Sequence, residues 1–137
     1  MDSFGVFNVS ASALAAQRQR MNVIASNMAN AHTTRTAEGG PYRRQDVVFS
    51  TESAGSGEPG LQGVKVESIV KDTAPLKMVY DPGHPDAAPD GFVAMPNVNI
   101  IEEMVNMMMA SRAYEASVSA FGISKTMFAK SLELGRV

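Results

Sequence analysis

The chain has 137 residues, a length typical of one ordinary domain or two small ones. Its 12 basic residues nearly balance its 14 acidic residues, which argues against nucleic-acid binding driven by bulk charge. Cysteine is absent, so a disulfide scaffold and a cysteine nucleophile are both excluded. No apolar stretch approaches the roughly 18 residues of a membrane span. The N-terminus lacks the basic start and cleavage site of a secretory signal, so we expect a soluble protein without Sec-type export.

The distribution of helix-breaking residues divides the chain into three parts. All seven prolines lie between positions 41 and 96, and eight of the eleven glycines lie between positions 39 and 91. A proline inside a helix costs about 3 kcal/mol, so helices are expected only in the flanks. The sequence therefore predicts a mainly α protein with a small β-rich middle: an N-terminal helix in 1–32, an irregular β-rich segment over 33–97, and a C-terminal helix in 98–137.

The first flank carries apolar or small residues at alternating steps of four and three, interrupted at Arg18. A repeat of seven residues predicts one half of a coiled-coil pair. We expect fraying before about residue 8 in the isolated protein, and a left-handed Asn30 at the end of the helix. The residues predicted here for helix pairing or subunit contact are Phe7, Leu14, Met21, Ile24 and Met28.

The second flank begins with a capping box directly after the last proline. Asn99 is expected to accept from a backbone N–H of the first turn, while Glu102 reaches back to the backbone of Asn99. A second stripe with a repeat of seven residues follows. The residues predicted here for helix pairing or subunit contact are Ile100, Met104, Met107, Met108, Tyr114, Val118, Phe121, Phe128 and Leu132.

The length of the second helix predicts assembly. A helix from Ile100 to Leu134 would be about 52 Å long, whereas a compact globule of this chain length has a diameter of roughly 37 Å. The first helix covers only one side of it, so we expect other subunits to cover the rest and the chain ends to order on association. Unlike apolar surfaces at the two ends of one chain predict a heterologous contact, which repeats into rings or helical filaments.

The middle segment contains strand patterns over 46–50, 64–70, 76–80 and 92–95, and a flexible loop is expected over 51–63. Within that loop, 55–60 matches the phosphate-binding pattern G-x-G-x-x-G. A strand pattern follows it where the phosphate site would need a helix N-terminus, so we do not expect nucleotide binding.

One cluster of polar residues in the middle allows an alternative function. Asp81, His84, Asp86 and Asp90 supply ligand types that bind divalent metals, which would suit a small metal-dependent enzyme. Three prolines and a glycine in the same segment favour consecutive turns, in which Asp side chains accept from local N–H groups. No Walker loop, G-x-S-x-G elbow or H-E-x-x-H motif occurs, and we expect no catalytic residue, cofactor or bound metal.

Several motifs resemble one known family. The sequence LAAQ at 14–17, MNVIASNMAN at 21–30 and the threonines at 33–34 are similar to the N-terminal signature of bacterial flagellar rod and hook proteins. The segments DPGHPDA at 81–87, PNVN at 96–99 and SRAYEA at 111–116 are similar to one proximal-rod member of that family. The likeness covers nearly the whole chain except the loop at 51–63.

This resemblance implies a structural subunit of the flagellar basal-body rod, without enzymatic activity. It implies export of the unfolded chain by the flagellar type III apparatus, followed by assembly in the periplasm around a central channel into a torque-transmitting shaft. The implied partners are further copies of the chain, other proximal-rod proteins, the adaptor between membrane ring and rod, and the distal-rod protein. A different axial subunit or a rod adaptor is the alternative within the same class.

Overall fold

Two long helices flank a β-rich middle in the computed structural model, which describes residues 3–53 and 60–135. The elements in chain order are α1 (Ser3–Ala29), β1 (Gln45–Ser53), β2 (Gln62–Lys71), β3 (Lys77–Tyr80), β4 (Phe92–Met95) and α2 (Ile100–Leu134). The predicted fold class, mainly α with a small β-rich middle, is confirmed, and the strands of the middle pair antiparallel.

The two helices pair in an antiparallel arrangement. Near one end of the pair the ring of Phe7 meets those of Phe121 and Phe128 edge to face, with ring centroids 5.4 and 5.9 Å apart. Near the other end the side-chain amide of Asn27 donates to Glu103 at 3.0 Å. The start of α1 therefore lies beside the end of α2. Neither helix, over the part of the chain that is described, combines the length and apolar character needed to cross a membrane.

The C-terminal end of helix α1 is capped by a side chain and not by a residue in the left-handed conformation. The Asn30 amide donates to the carbonyl of Ser26 at 2.9 Å, and its oxygen accepts from the Thr33 hydroxyl at 3.1 Å. Asn30 does not have a positive φ, so the left-handed conformation predicted for it is wrong. The side chain already satisfies a terminal carbonyl of the helix, so the strained backbone is not needed.

Helix α2 begins at the cap that its sequence indicates. The side-chain oxygen of Asn99 accepts from the backbone N–H of Ile101 at 3.1 Å, which satisfies one orphan donor of the first turn. Glu102 and Glu103 lie in the first turn, where the helix dipole favours negative charge. Glu102 is exposed and makes no hydrogen bond to any residue within the described ranges, so the asparagine supplies the cap.

Strands β1 and β2 form an antiparallel hairpin with a register running from Gln45↔Lys71 to Ser53↔Gln62. A bulge interrupts the register between Val48 and Phe49. Pairing extends into both ends of the segment expected to be a loop, because α1 supports this end of the hairpin: Ser12 accepts from the backbone N–H of Val64 at 3.0 Å. Residues 54–59, which include most of the G-x-G-x-x-G pattern, lie outside the described residues.

Strands β3 and β4 form a second antiparallel pair, and only a small part of the apolar surface is buried. Val93 in β4 is 2% exposed, whereas Tyr80 and Phe92 stack edge to face at 5.3 Å on the surface. The buried apolar residues of the described chain are Ala16, Val23, Ile24, Ala31, Val93 and Ala110. This short core lies mainly along the helix pair and leaves many large side chains of α2 open.

The approach of α1 to the hairpin depends on the absence of a side chain at Gly63. A Cβ there would lie 2.7 Å from the Ser12 hydroxyl oxygen. We predict that Gly63→Ala lowers the free energy of unfolding by about 1–3 kcal/mol through overpacking, measured by urea unfolding followed by circular dichroism. In a Ser12→Ala background the hydroxyl is gone and the nearest atom would be the Cβ at position 12, 3.4 Å away. Gly63→Ala should then cost less stability. Strictly additive effects of the two substitutions would contradict this steric explanation.

The same substitution at Gly122 is a matched control with the opposite sign. A Cβ at Gly122 would meet nothing within 4 Å, and the residue is solvent-exposed at a position far from both ends of α2. We predict that Gly122→Ala stabilises the protein by about 1 kcal/mol because alanine has the higher helix propensity. The expected readout is a stronger helical circular-dichroism signal and a higher urea midpoint; a lower midpoint would contradict the prediction.

Candidate functional site: a buried polar junction between the terminal helices

The carboxylate of Glu103 is almost completely buried at the start of α2, with 1% of the residue exposed. Its Oε1 accepts from Arg44 Nε at 2.8 Å and its Oε2 accepts from Asn27 Nδ2 at 3.0 Å. Asn106, one turn further along α2, donates to Oε1 at 3.4 Å. Burying a charge is costly unless it is paired and hydrogen-bonded, and here both oxygens have partners.

Asn27 of α1 is fully buried and uses its whole hydrogen-bonding capacity. Its amide nitrogen donates to Glu103 and, at 2.8 Å, to the carbonyl of Gln45. Its amide oxygen accepts from the Tyr42 hydroxyl and from the Gln45 backbone N–H, each at 2.9 Å. One side chain therefore joins the last turn of α1 to the first residue of β1 and to α2.

Arg44 supplies the positive charge, and its side chain is 21% exposed. The guanidinium also lies 3.3 Å from Asp46 and 3.7 Å from Asp72. Burial lowers the pKa of Arg44, but the hydrogen bond to Glu103 and the charges of Glu103 and Asp46 outweigh it, so the pKa lies above its ordinary value. The guanidinium therefore remains charged wherever the fold exists.

Asn97 ties the segment before α2 to the hairpin. Its oxygen accepts from the backbone N–H of Arg44 at 2.8 Å, and its nitrogen donates to the carbonyls of Ala74 and Asp72 at 3.2 and 3.4 Å. The backbone N–H of Asp72 in turn donates to the Arg44 carbonyl at 2.8 Å. We call the set Asn27, Tyr42, Arg44, Asn97 and Glu103 the polar junction.

The polar junction is suited to holding segments together and not to turning over a substrate. The Glu103 carboxylate, the Arg44 guanidinium and the two amides already bond to protein groups, and none of the buried side-chain polar atoms of the junction lacks a partner within the described residues. The void beside Arg44 and Asn106 measures about 60 Å³, and larger open clefts of about 540 and 860 Å³ border Tyr42 and Asn97.

The motif residues quoted above meet in this junction, although no role was predicted for them. Asn27 belongs to the segment 21–30, and Asn97 belongs to 96–99. One feature of the sequence points to the junction: the polar residues Asn27 and Glu103 each lie next to the apolar stripe of a helix. Their pairing across 76 residues of sequence cannot be seen from local periodicity.

Along α2, the row that faces α1 combines large residues with small or polar ones. Met107, Tyr114, Phe121 and Phe128 are half-buried, as is Ile100 at the helix start. The second row toward α1 is Glu103, Ala110, Ser117 and Ser124, of which Ala110 is completely buried. Four other residues of the predicted stripe are 46–58% exposed, and they stay predictions as contacts with other subunits: Met104, Met108, Val118 and Leu132.

On α1, the predicted residues lie on the covered side of the helix. Ile24 is 5% exposed, and Phe7, Leu14, Met21 and Met28 are half-buried. Their assignment to subunit contacts remains a prediction, because only one copy of the chain is present in the structure.

Three residues of the metal hypothesis, Asp81, His84 and Asp90, bond to local backbone groups as turn residues do. Asp81 accepts from the N–H of Gly83 and Asp90 from that of Phe92, each at 3.2 Å. His84 Nδ1 accepts from the Asp86 N–H at 3.0 Å. The carboxylate of Asp86 instead accepts from the Thr34 hydroxyl at 2.8 Å and lies 3.8 Å from Arg35. Within residues 3–53 and 60–135, no three His, Asp or Glu side chains are grouped to hold a metal ion.

Comparison with known proteins defines the class. A family described as flagella basal body rod protein matches residues 7–35, and a family described as flagellar basal body rod FlgEFG protein C-terminal matches residues 90–134. The first match covers Asn27 and the second covers Asn97 and Glu103, so both sides of the polar junction lie in segments that characterise flagellar rod proteins.

Full-length relatives narrow the class to one family. The flagellar basal-body rod protein FlgC of Salmonella typhimurium strain LT2 is 46% identical over 99% of this chain and 100% of its own length. The FlgC proteins of Borreliella burgdorferi and Bacillus subtilis are 44% and 43% identical, over 98% and 99% of the chain and 98% and 100% of their own lengths. The chain belongs to the FlgC family of flagellar basal-body rod proteins. It is a structural subunit of the flagellar basal body, as the resemblance predicted.

The polar junction generates a stability prediction with a neighbouring control. Glu103→Ala leaves Arg44 and Asn27 without their partner in a buried site, so we expect a loss of about 3–5 kcal/mol in urea unfolding. Glu102→Ala removes an exposed carboxylate from the same helical turn and should change stability by no more than about 0.5 kcal/mol. Equal effects of the two substitutions would contradict the assignment.

Replacing both charged partners tests whether the cost comes from the unpaired charge. The double variant Glu103→Leu with Arg44→Met should recover part of the loss seen in either single variant, because no isolated charge remains. Additive losses in this double-mutant cycle would show that the two side chains do not act as a pair.

Proposed function

We propose that this chain is a subunit of the proximal rod whose terminal helices assemble it into a helical, torque-transmitting shaft around the export channel. The observation that carries the proposal is the large apolar surface left open along α2. Ile101, Met109, Ile123 and Met127 are 58–73% exposed on a helix whose other side packs on α1. Extended apolar surface of this kind is typical of a site covered by other protein.

The proposed division of labour follows the three parts of the chain. Segments 1–32 and 98–137 form the helical pair that packs against neighbouring subunits, and segment 33–97 forms the β-rich unit beside it. The polar junction couples the two parts, since Asn27 bonds to Gln45 at the start of β1 and Glu103 bonds to Arg44, the residue before it. Close-packed, fully bonded contacts deform little and transmit load, as a shaft requires.

The composition and core fit assembly after export of an unfolded chain. Cysteine is absent, and the buried apolar core of the described residues consists mostly of small side chains. Helices with so little core order more completely when partners cover them. The partners proposed are further copies of the chain, other proximal-rod proteins, the membrane-ring adaptor and the distal-rod protein, after passage through the type III apparatus into the periplasm. The proposed role is non-enzymatic and needs no cofactor.

A substitution at Ile123 tests whether the open side of α2 is an assembly surface. Ile123 is 62% exposed, so Ile123→Asp should leave the stability of the isolated chain within about 0.5 kcal/mol. In the rod it would bury an unpaired charge, and we expect loss of swimming and loss of the chain from purified basal bodies. Ile123→Leu is the matched control and should swim normally. Full motility of Ile123→Asp would contradict the assignment of this side to subunit contacts.

Dilute purified protein tests the dependence of the helices on assembly. We expect less helix by circular dichroism than α1 and α2 together contain, and fast hydrogen exchange at both chain ends. Helix content and exchange protection should rise when the chain is incorporated into basal bodies. Complete helix content and slow exchange to both ends in the isolated chain would contradict ordering on association.

A further inference from the structure

One open surface of α2 has a regular composition. It consists of residues that recur at steps of four and three, and all of them are exposed except the half-buried Ser111. Two methionines and a valine supply its bulk, and Glu115 supplies a negative charge near its centre. We call it the α2 outer face: Met104, Met108, Ser111, Glu115, Val118 and Gly122.

A second open surface lies on α1, on the side opposite the buried Ala16 and Val23. Its residues are all exposed and recur at steps of four and three as well. Small side chains predominate, and Arg18 is the single charged residue. We call it the α1 outer face: Ala11, Ala15, Arg18, Asn22, Ala25 and Ala29.

The two faces match in size and in charge when the helices run antiparallel. Arg18 then lies opposite Glu115, and neither of them forms an ion pair with any residue in the described ranges. The large residues of α2 fall opposite alanines on both sides of this charged layer. The full set of layers is Ala29 with Met104, Ala25 with Met108, Asn22 with Ser111, Arg18 with Glu115, Ala15 with Val118, and Ala11 with Gly122.

We propose that the α2 outer face of one copy packs on the α1 outer face of the next copy of this chain, with Arg18 and Glu115 paired. This inference rests on the proposed function, since it specifies how copies meet within the shaft. Copies related by rotation about an axis parallel to their helices keep the same polarity. Because α1 and α2 are antiparallel within one copy, α2 is also antiparallel to α1 of the neighbour.

The register of this contact nearly repeats the one inside the molecule. Within a copy Asn27 bonds to Glu103, and between copies Ala29 lies beside Met104. Neighbours are thus displaced along the helix direction by no more than about one turn, 5.4 Å. The two faces differ from each other, so the contact is heterologous and each copy keeps one face free for the next. Oppositely charged groups at its centre fix the register.

Disulfide trapping tests the layer between Ala25 and Met108. The chain has no cysteine, so an introduced pair supplies its only thiols. Cells carrying Ala25→Cys with Met108→Cys are oxidised, and basal bodies are purified and run on a non-reducing gel. We expect homodimers and higher multiples of the chain, confirmed by mass spectrometry of the linked peptides. The matched control is Ala25→Cys with Met109→Cys, because Met108 and Met109 are each 58% exposed but point in different directions. The control should stay monomeric.

Charge reversal tests the register at the centre of the contact. Arg18→Glu and Glu115→Arg should each reduce motility and the amount of chain in basal bodies, because like charges then meet. Combining the two reversals restores an opposite pair and should restore both readouts. Both positions are exposed in the isolated chain, so equal urea midpoints serve as the folding control. A double variant as defective as the worse single variant would overturn the pairing.

The outcomes separate this inference from the proposed function. The proposed packing is overturned if the cysteine variants enter basal bodies but form no homodimer. It is also overturned if the Met109→Cys control forms as much homodimer as the Met108→Cys variant. Either result leaves the rod role intact. If even the unaltered chain is absent from the rod, the proposed function and the inference fall together. If only the cysteine variants are excluded from basal bodies, the charge-reversal series decides.

Discussion

Burying a carboxylate costs several kilocalories per mole unless its partners are well placed, and this constraint governs the architecture around Glu103. The partners come from Arg44, directly before β1, and from Asn27 in the last turn of α1. The chain must therefore bring both helices and the hairpin to one point before the carboxylate is satisfied. Such a bonded cluster stabilises little relative to an apolar core of equal volume, but it strongly disfavours any alternative register of the helices.

The remainder of the molecule is arranged around that point. The helices meet on a narrow seam of alanines, serines and a few aromatic rings, which lets them approach closely but buries little apolar area. The hairpin docks on α1 where Gly63 leaves room for Ser12. The junction and the seam define the fold, and the large exposed side chains of α2, which we propose as the assembly surface, take part in neither.

The sequence predicted the features that depend on neighbouring residues. Proline positions located the helices, Asn99 marked the start of α2, and alternation located the strands to within a few residues. The row Met107, Tyr114, Phe121 and Phe128 follows from periodicity, because large apolar residues at a repeat of seven are easily recognised. The second row, which contains Glu103 and Ser117, cannot be predicted from periodicity, since periodicity favours Met104 over Glu103 and Val118 over Ser117. Close helix packing selects the smaller residues there, and the burial of Glu103 depends on Arg44 and Asn27, which are remote in sequence.

That remoteness has a kinetic consequence. The contact between Asn27 and Glu103 closes a loop of 76 residues. The entropic cost of closing this loop opposes folding until the helices form their stabilising contacts. Neither helix can be completed by its sequence neighbours, so a chain delivered end first has no native partner for its leading helix until the trailing one arrives. High contact order of this kind makes folding slow to nucleate. In the export that we propose, the chain would travel extended through a narrow conduit, and slow folding would keep that passage open.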